Sequence, residues 1–123
     1  MALPQLNVHR HDRSTRALIT LVGEIDLTTT PLVRIAPAEC LRDGIRAVDV
    51  DLTAVTFCDG SGLNAFLAAS RLATEAGTTL QLHYPPPTMV RVTEVTGSGF
   101  LLHPVHVAQV PPRRIPAAAD GAL

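Results

Sequence analysis

Apolar and polar residues along this chain change period several times, and the changes mark its elements. Leu6 to Arg10 alternates, Arg10-His-Asp-Arg-Ser14 is polar, and Arg16 to Gly23 carries the apolar run Ala-Leu-Ile-Thr-Leu-Val. Two such runs around a polar turn predict a β-hairpin. Gly23-Glu-Ile-Asp-Leu-Thr-Thr-Thr-Pro31 then ends the second strand and opens a helix. Thr30 is the expected N-cap, and Pro31 falls in the first turn, where proline is tolerated. The helix should run to about Arg42 and stop at Asp43-Gly44. Pro37 conflicts with this, because an interior proline removes a backbone donor at a cost of about 3 kcal/mol. A helix kinked at Pro37 and a helix that begins there both remain open.

Ala47 to Thr53 predicts a strand with Val48, Val50 and Leu52 on one face, extended by Val55 to Cys58. Asp59-Gly-Ser-Gly62 is a sharp turn into a helix reaching about Ala76, closed by Gly77. Thr79 to Tyr84 is another strand, Pro85-Pro-Pro87 forces a turn, and Thr88 to Val95 reads as an amphipathic helix ended by Gly97. His106 to Val110 is a last edge strand. Residues 1–5 read as flexible, and residues 111–123 as a disordered tail. The order β-β-α-β-α-β-α-(β) predicts an α/β fold. It would be one domain over residues 6–110, a mixed sheet of four to five strands packed with three to four helices.

On a wheel at about 100° per residue, Ala65, Ala69, Leu72 and Ala76 fall on one line, flanked by Ala68 and by Phe66 and Ala73. That line is the expected core stripe. Asn64, Arg71 and Glu75 cluster opposite, with Leu63 and Leu67 among them. Two exposed leucines beside a glycine-rich helix start predict a small contact patch, unless the last helix or the C-terminal segment covers them.

The 123 residues suffice for one core. A formal net charge of −1, with no basic stripe, argues against a nucleic-acid partner. No apolar h-region opens the chain and no run approaches a membrane span, so a cytoplasmic protein is expected. Cys40 and Cys58 have no metal-ligand spacing and read as small buried hydrophobes. No cofactor is expected.

Sharper chemistry has weak support. Asp59-Gly-Ser-Gly62 has the strand-turn-helix setting of a nucleophile elbow, but that motif needs glycine two residues before the serine, where Asp59 stands. His83, His103 and His106 are unplaced as bases, so a small hydrolase is the least favoured reading. Gly60 and Gly62 could receive an anion, but no P-loop lysine follows. Asp49 and Asp51 share a strand face without a third ligand at suitable spacing. His9 and His11 share an exposed edge.

The segment Leu52-Thr-Ala-Val-Thr-Phe-Cys-Asp-Gly-Ser-Gly-Leu63 resembles the signature of STAS domains in bacterial anti-sigma factor antagonists, close to D-L-S-x-V-x-F-x-D-S-S-G-L. Asp51, Leu52, Val55, Phe57, Asp59, Ser61, Gly62 and Leu63 match it. Gly23-Glu-Ile-Asp26 resembles the family's G-E-(L/I)-D, Val95-Thr-Gly97 its L-T-G, and Pro85 lies in its N-P-like turn. The resemblance implies a STAS-like domain that is not an enzyme. It implies a protein-interaction module in a partner switch: the antagonist binds an anti-sigma factor, often a serine kinase, and frees a sigma factor. Phosphorylation of a serine at the start of the second helix breaks the complex and a phosphatase restores it. The partner-binding residues implied are Asp26, Thr28, Asp59, Gly60, Ser61, Gly62, Asn64, Leu67 and Arg71. A sensor or scaffold subunit that binds a small ligand or a larger signalling complex is the alternative. A weak homodimer is a further expectation.

At the acceptor position this chain has Gly60, which carries no hydroxyl. Ser61 is the remaining phosphoacceptor candidate, and a one-residue shift turns it by about 100° around a helix. Ser61 and Asp59 are first of all capping groups. A phosphate there would add about −1.5 to −2 charges. Two unit charges about 4 Å apart repel by about 4 kcal/mol at an effective dielectric of 20, enough to change affinity by about a hundred- to a thousandfold. The expected form is an antagonist that is constitutive or differently regulated.

Overall fold

The computed structural model describes residues 5–97 and 99–102. Residues 1–4, His103, the expected strand at 106–110 and the expected tail at 111–123 lie outside the described residues.

β1 (Leu6–Arg13) and β2 (Arg16–Ile25) form the hairpin. They join through Ser14 and Thr15, with Ser14 at φ 56°. β1 runs three residues beyond its expected end. It is an edge strand, paired only with β2 among the described residues, so the ladder needs its backbone and tolerates polar side chains on both faces. Arg10 faces the helices and is clamped there: it donates to Asp12 at 2.8 and 3.0 Å and to Asp43 at 2.9 Å.

α1 (Thr30–Arg42) follows, with Thr29 as its N-cap residue in place of the expected Thr30. Pro31 occupies the first turn, and the helix continues through Pro37, which decides the open question in favour of the longer helix. Pro37 is buried on the core side with Val33, Ala36 and Cys40. There burial of its apolar ring offsets part of what its missing donor costs.

β3 (Ala47–Cys58) and β4 (Thr79–His83) flank α2 (Gly60–Glu75). α3 (Pro87–Thr96) ends at Gly97, whose φ of 73° is the left-handed conformation glycine tolerates best. A 3-10 turn at Gly99–Leu101 leads to a bridge between Leu102 and Leu82. The sheet order is β1-β2-β3-β4, antiparallel across the first pair and parallel across the other two.

One face of the sheet is packed, and no described helix covers the other. Ala17, Ile19, Leu21, Val48, Val50, Leu52, Leu80 and Leu82 are buried, and α1 and α2 touch each other over this face. α2 buries only part of the stripe expected for it: Ala65 and Ala69, with the flanking Phe66 and Ala73, are in the core, and Leu72 and Ala76 are not. Gly62, Leu63, Ala65, Phe66, Ala69 and Ala73 are buried, whereas Leu72 is 50% exposed and Ala76 is exposed. The buried arc is turned by about 60° from the predicted line. A single-helix wheel cannot register that α2 packs against α1, β4 and the 3-10 turn together. Leu63 joins the same core cluster as Met89, Leu101 and Leu102, and Leu67 packs half-buried against it. Of the expected leucine contact patch, Leu63 is therefore buried and Leu67 is exposed only in part. No described helix is long and apolar enough to cross a membrane.

Candidate functional site

The parallel strands β2 and β3 end side by side. Ile25 pairs with Cys58, and the Asp59 N–H donates to the Ile25 carbonyl at 3.2 Å. The loop from Asp26 to Thr29 therefore lies beside the start of α2, and the two motifs from distant parts of the sequence share one end of the molecule.

Both loops use the same device. Asp26 Oδ1 accepts the Thr28 N–H at 2.9 Å and the Thr28 hydroxyl at 2.6 Å. Asp59 Oδ1 accepts the Ser61 hydroxyl at 2.5 Å and the Gly62 N–H at 3.1 Å, which caps α2. The Thr28 hydroxyl is the main cause holding the Asp26 carboxyl below its ordinary range. The Ser61 hydroxyl does the same for Asp59, against a small opposing push from the Asp26 charge. A third copy of the device sits in β3, where Asp51 Oδ1 accepts the Thr53 N–H and hydroxyl.

Thr29, fully buried, pins the first loop from below. Its Oγ1 accepts the Asp26 N–H at 2.9 Å and donates to the Glu24 carbonyl at 3.0 Å. Gly62 seats the second: a Cβ there would stand 2.6 Å from Ile25 Cγ2 and 2.7 Å from Cys58 Sγ. Cys58 is half-buried in this seat, and burial pushes its thiol up to about 11, so it is an inert packing group. Gly60 is the opposite case. It is exposed, and a Cβ there would meet nothing within 4 Å.

Of the implied site residues, Asp26, Thr28, Asp59, Gly60 and Ser61 come together at this end. Gly62 is buried beneath them. Asn64 and Arg71 are exposed along the outer side of α2, and Leu67 is turned toward the core. Sequence reasoning missed Leu27, 75% exposed between Asp26 and Thr28, and did not place Phe57 as a surface group, though it is 49% exposed. An apolar residue inside a polar turn, outside any periodic run, was the available signal for Leu27.

The remaining polar groups are committed elsewhere. Asp49 accepts from Arg16 at 2.7 Å and lies 2.9 Å from His83 Nε2. Burial alone would raise its pKa, but the hydrogen bonds from His83 and Arg16 bring it below the ordinary value. His9 and His11 are exposed on β1. The Ser61 hydroxyl is thus engaged by a carboxylate, and no described histidine engages it. No group of three metal-ligating side chains occurs among the described residues.

A family profile described as "Mlab, STAS domain" matches residues 8–103. Similar solved structures include an anti-sigma factor antagonist from Mycobacterium paratuberculosis, 22% identical over 83% of this chain and 87% of that one, at TM-score 0.69. The unphosphorylated form of the anti-sigma factor antagonist SpoIIAA is 18% identical over 85% and 96%, at TM-score 0.69. The phosphorylated form of the Bacillus cell fate determinant SpoIIAA is 23% identical over 85% and 100%, at TM-score 0.62. At these identities the likeness is one of fold. No curated protein matches the chain.

Proposed function

This chain belongs to the STAS domain family, and from that premise we propose that it is a cytoplasmic anti-sigma factor antagonist that works by docking, without catalysis. Its partner is an anti-sigma factor of the serine-kinase type, and binding releases a sigma factor. The fold shared with two proteins named as anti-sigma factor antagonists supports this reading.

One observation carries it: the first turn of α2 stands free at Gly60, beside a second loop fixed by its own hydrogen bonds. A pre-ordered end of this kind loses little conformational entropy when a partner covers it. Its regulation follows from the same turn. Gly60 offers no hydroxyl, and Ser61 is half-buried with its hydroxyl held by Asp59. The antagonist is therefore constitutive toward a kinase that would modify the first residue of α2.

Affinity capture from the native cell with the wild-type chain and with Gly60→Arg, read by mass spectrometry, tests this. A kinase-type anti-sigma factor should be recovered with the first and lost with the second. Equal recovery with both would reject this end as the docking surface. Stoichiometric phosphoserine at position 61 after incubation with that kinase and ATP would reject the constitutive form.

A further inference from the structure

We propose that the sheet face no described helix covers is a self-complementary surface on which a second copy of this chain docks, two-fold and antiparallel, to form a weak dimer. The proposal is independent of the antagonist reading.

The face is defined by strand register. Paired residues on neighbouring strands point to the same side. Because Ala17, Ile19 and Leu21 are buried, Arg16, Leu18, Thr20, Val22 and Glu24 line the other side of β2. Their β3 partners, in order, are Ala47, Asp49, Asp51, Ala54 and Phe57. Leu18, Val22 and Phe57 are 39%, 37% and 49% exposed, so an apolar column runs along a face that no described helix covers.

On β2 these positions are evenly spaced about Thr20, whereas β3 carries an extra residue between Asp51 and Ala54 and another between Val55 and Phe57, so the symmetry is that of β2. A two-fold axis across the strands at that row lays each β2 over its copy in the opposite direction. Leu18 then meets the second copy's Val22, and Arg16 meets its Glu24. Phe57 falls over Ala47, one of the two alanines on the face. Each match occurs twice, as an isologous interface requires. Charge supports the same pairing. Arg16 is 60% exposed and uses one guanidinium nitrogen on Asp49, which leaves donors of its fork for a second carboxylate. Glu24 is exposed and forms no ion pair among the described residues. The axis row also holds His9, Asp51 and His83, each of which faces its own copy, and the Asp51 carboxylates oppose the arrangement by like charge.

The footprint is about 26 Å along the strands and about 14 Å across four of them, on the order of 400 Å² per copy. This is below the roughly 800 Å² per partner of a standard stable interface and falls in the class of weak, transient contacts.

Sedimentation equilibrium of the full chain, from about 10 μM to about 1 mM, reads the association constant directly. Glu24→Arg should lower it by about tenfold or more, and the exchange pair Arg16→Glu with Glu24→Arg should restore it to within about threefold. Asp51→Asn should raise it, because asparagine keeps the acceptor for Thr53 and removes the like charge. Circular dichroism confirms that each variant is folded; if the exchange pair is unfolded, Asp51→Asn and Glu24→Arg, tested singly, decide. A wild-type chain that stays monomeric to 1 mM overturns the proposal. So does a dimer that Glu24→Arg leaves unchanged, one that a folded exchange pair does not restore, or one that Asp51→Asn does not tighten.

Discussion

Glycines two residues apart in the first turn of α2 should answer the same substitution with opposite signs. Gly62→Ala places a methyl group 2.6 Å from Ile25 Cγ2 and 2.7 Å from Cys58 Sγ. Ordinary contact begins near 3.4 Å, so the helix start or the strand ends must yield by most of an ångström. Overpacking of this kind costs about 1–3 kcal/mol, and the better helix propensity of alanine returns at most about 1 kcal/mol. The net expectation is a loss of about 1–2 kcal/mol, or roughly 4–12 °C in melting temperature for a domain near this size. Gly60→Ala meets nothing within 4 Å and should be neutral or stabilising by a few tenths of a kcal/mol. Urea titrations of the two variants and the wild type measure the difference. Adding Cys58→Ala to Gly62→Ala removes one of the two clashing atoms and should return at least about 0.5 kcal/mol beyond additivity. If Gly62→Ala is as stable as Gly60→Ala, the close seating of α2 on the ends of β2 and β3 is wrong.

Other outcomes follow from single contacts. Thr29→Val leaves the Asp26 N–H and the Glu24 carbonyl without their buried partner and should cost about 1–3 kcal/mol by urea titration, with the largest amide shifts in residues 24–29. Gly60→Ser adds a hydroxyl where there is room; stability should change by less than about 0.5 kcal/mol, and the variant should gain kinase-dependent phosphate that the wild type does not. The carboxyl of Asp49 is depressed in the folded state, so its stabilisation is present above its unfolded pKa of about 3.9 and is lost as pH falls through the lower folded value. The stability gap between wild type and Asp49→Asn should therefore shrink below pH 4 in urea midpoints taken across pH 2–6, and a constant gap would exclude the linkage.

The sequence by itself determined the order of elements, the helix starting after Asp59, the stops at Asp43-Gly44, Gly77 and Gly97, and the motifs that mark the family. These are local matters: apolar period, cap chemistry and the left-handed freedom of glycine act within a few residues, so a reader of the chain sees them. Tertiary structure alone decided which arc of α2 is buried, because that depends on α1, β4 and the 3-10 turn meeting the helix at once. It also kept Pro37 inside α1, where its ring is buried in the core, and carried β1 through polar residues that an edge strand can hold in water. The same is true of the site. Asp26 and Asp59 are 33 positions apart and sit in separate motifs, and only the parallel pairing of Ile25 with Cys58 sets them side by side. The exposed sheet face had no sequence signal either, since which side chains share it is set by the pairing of β2 with β3.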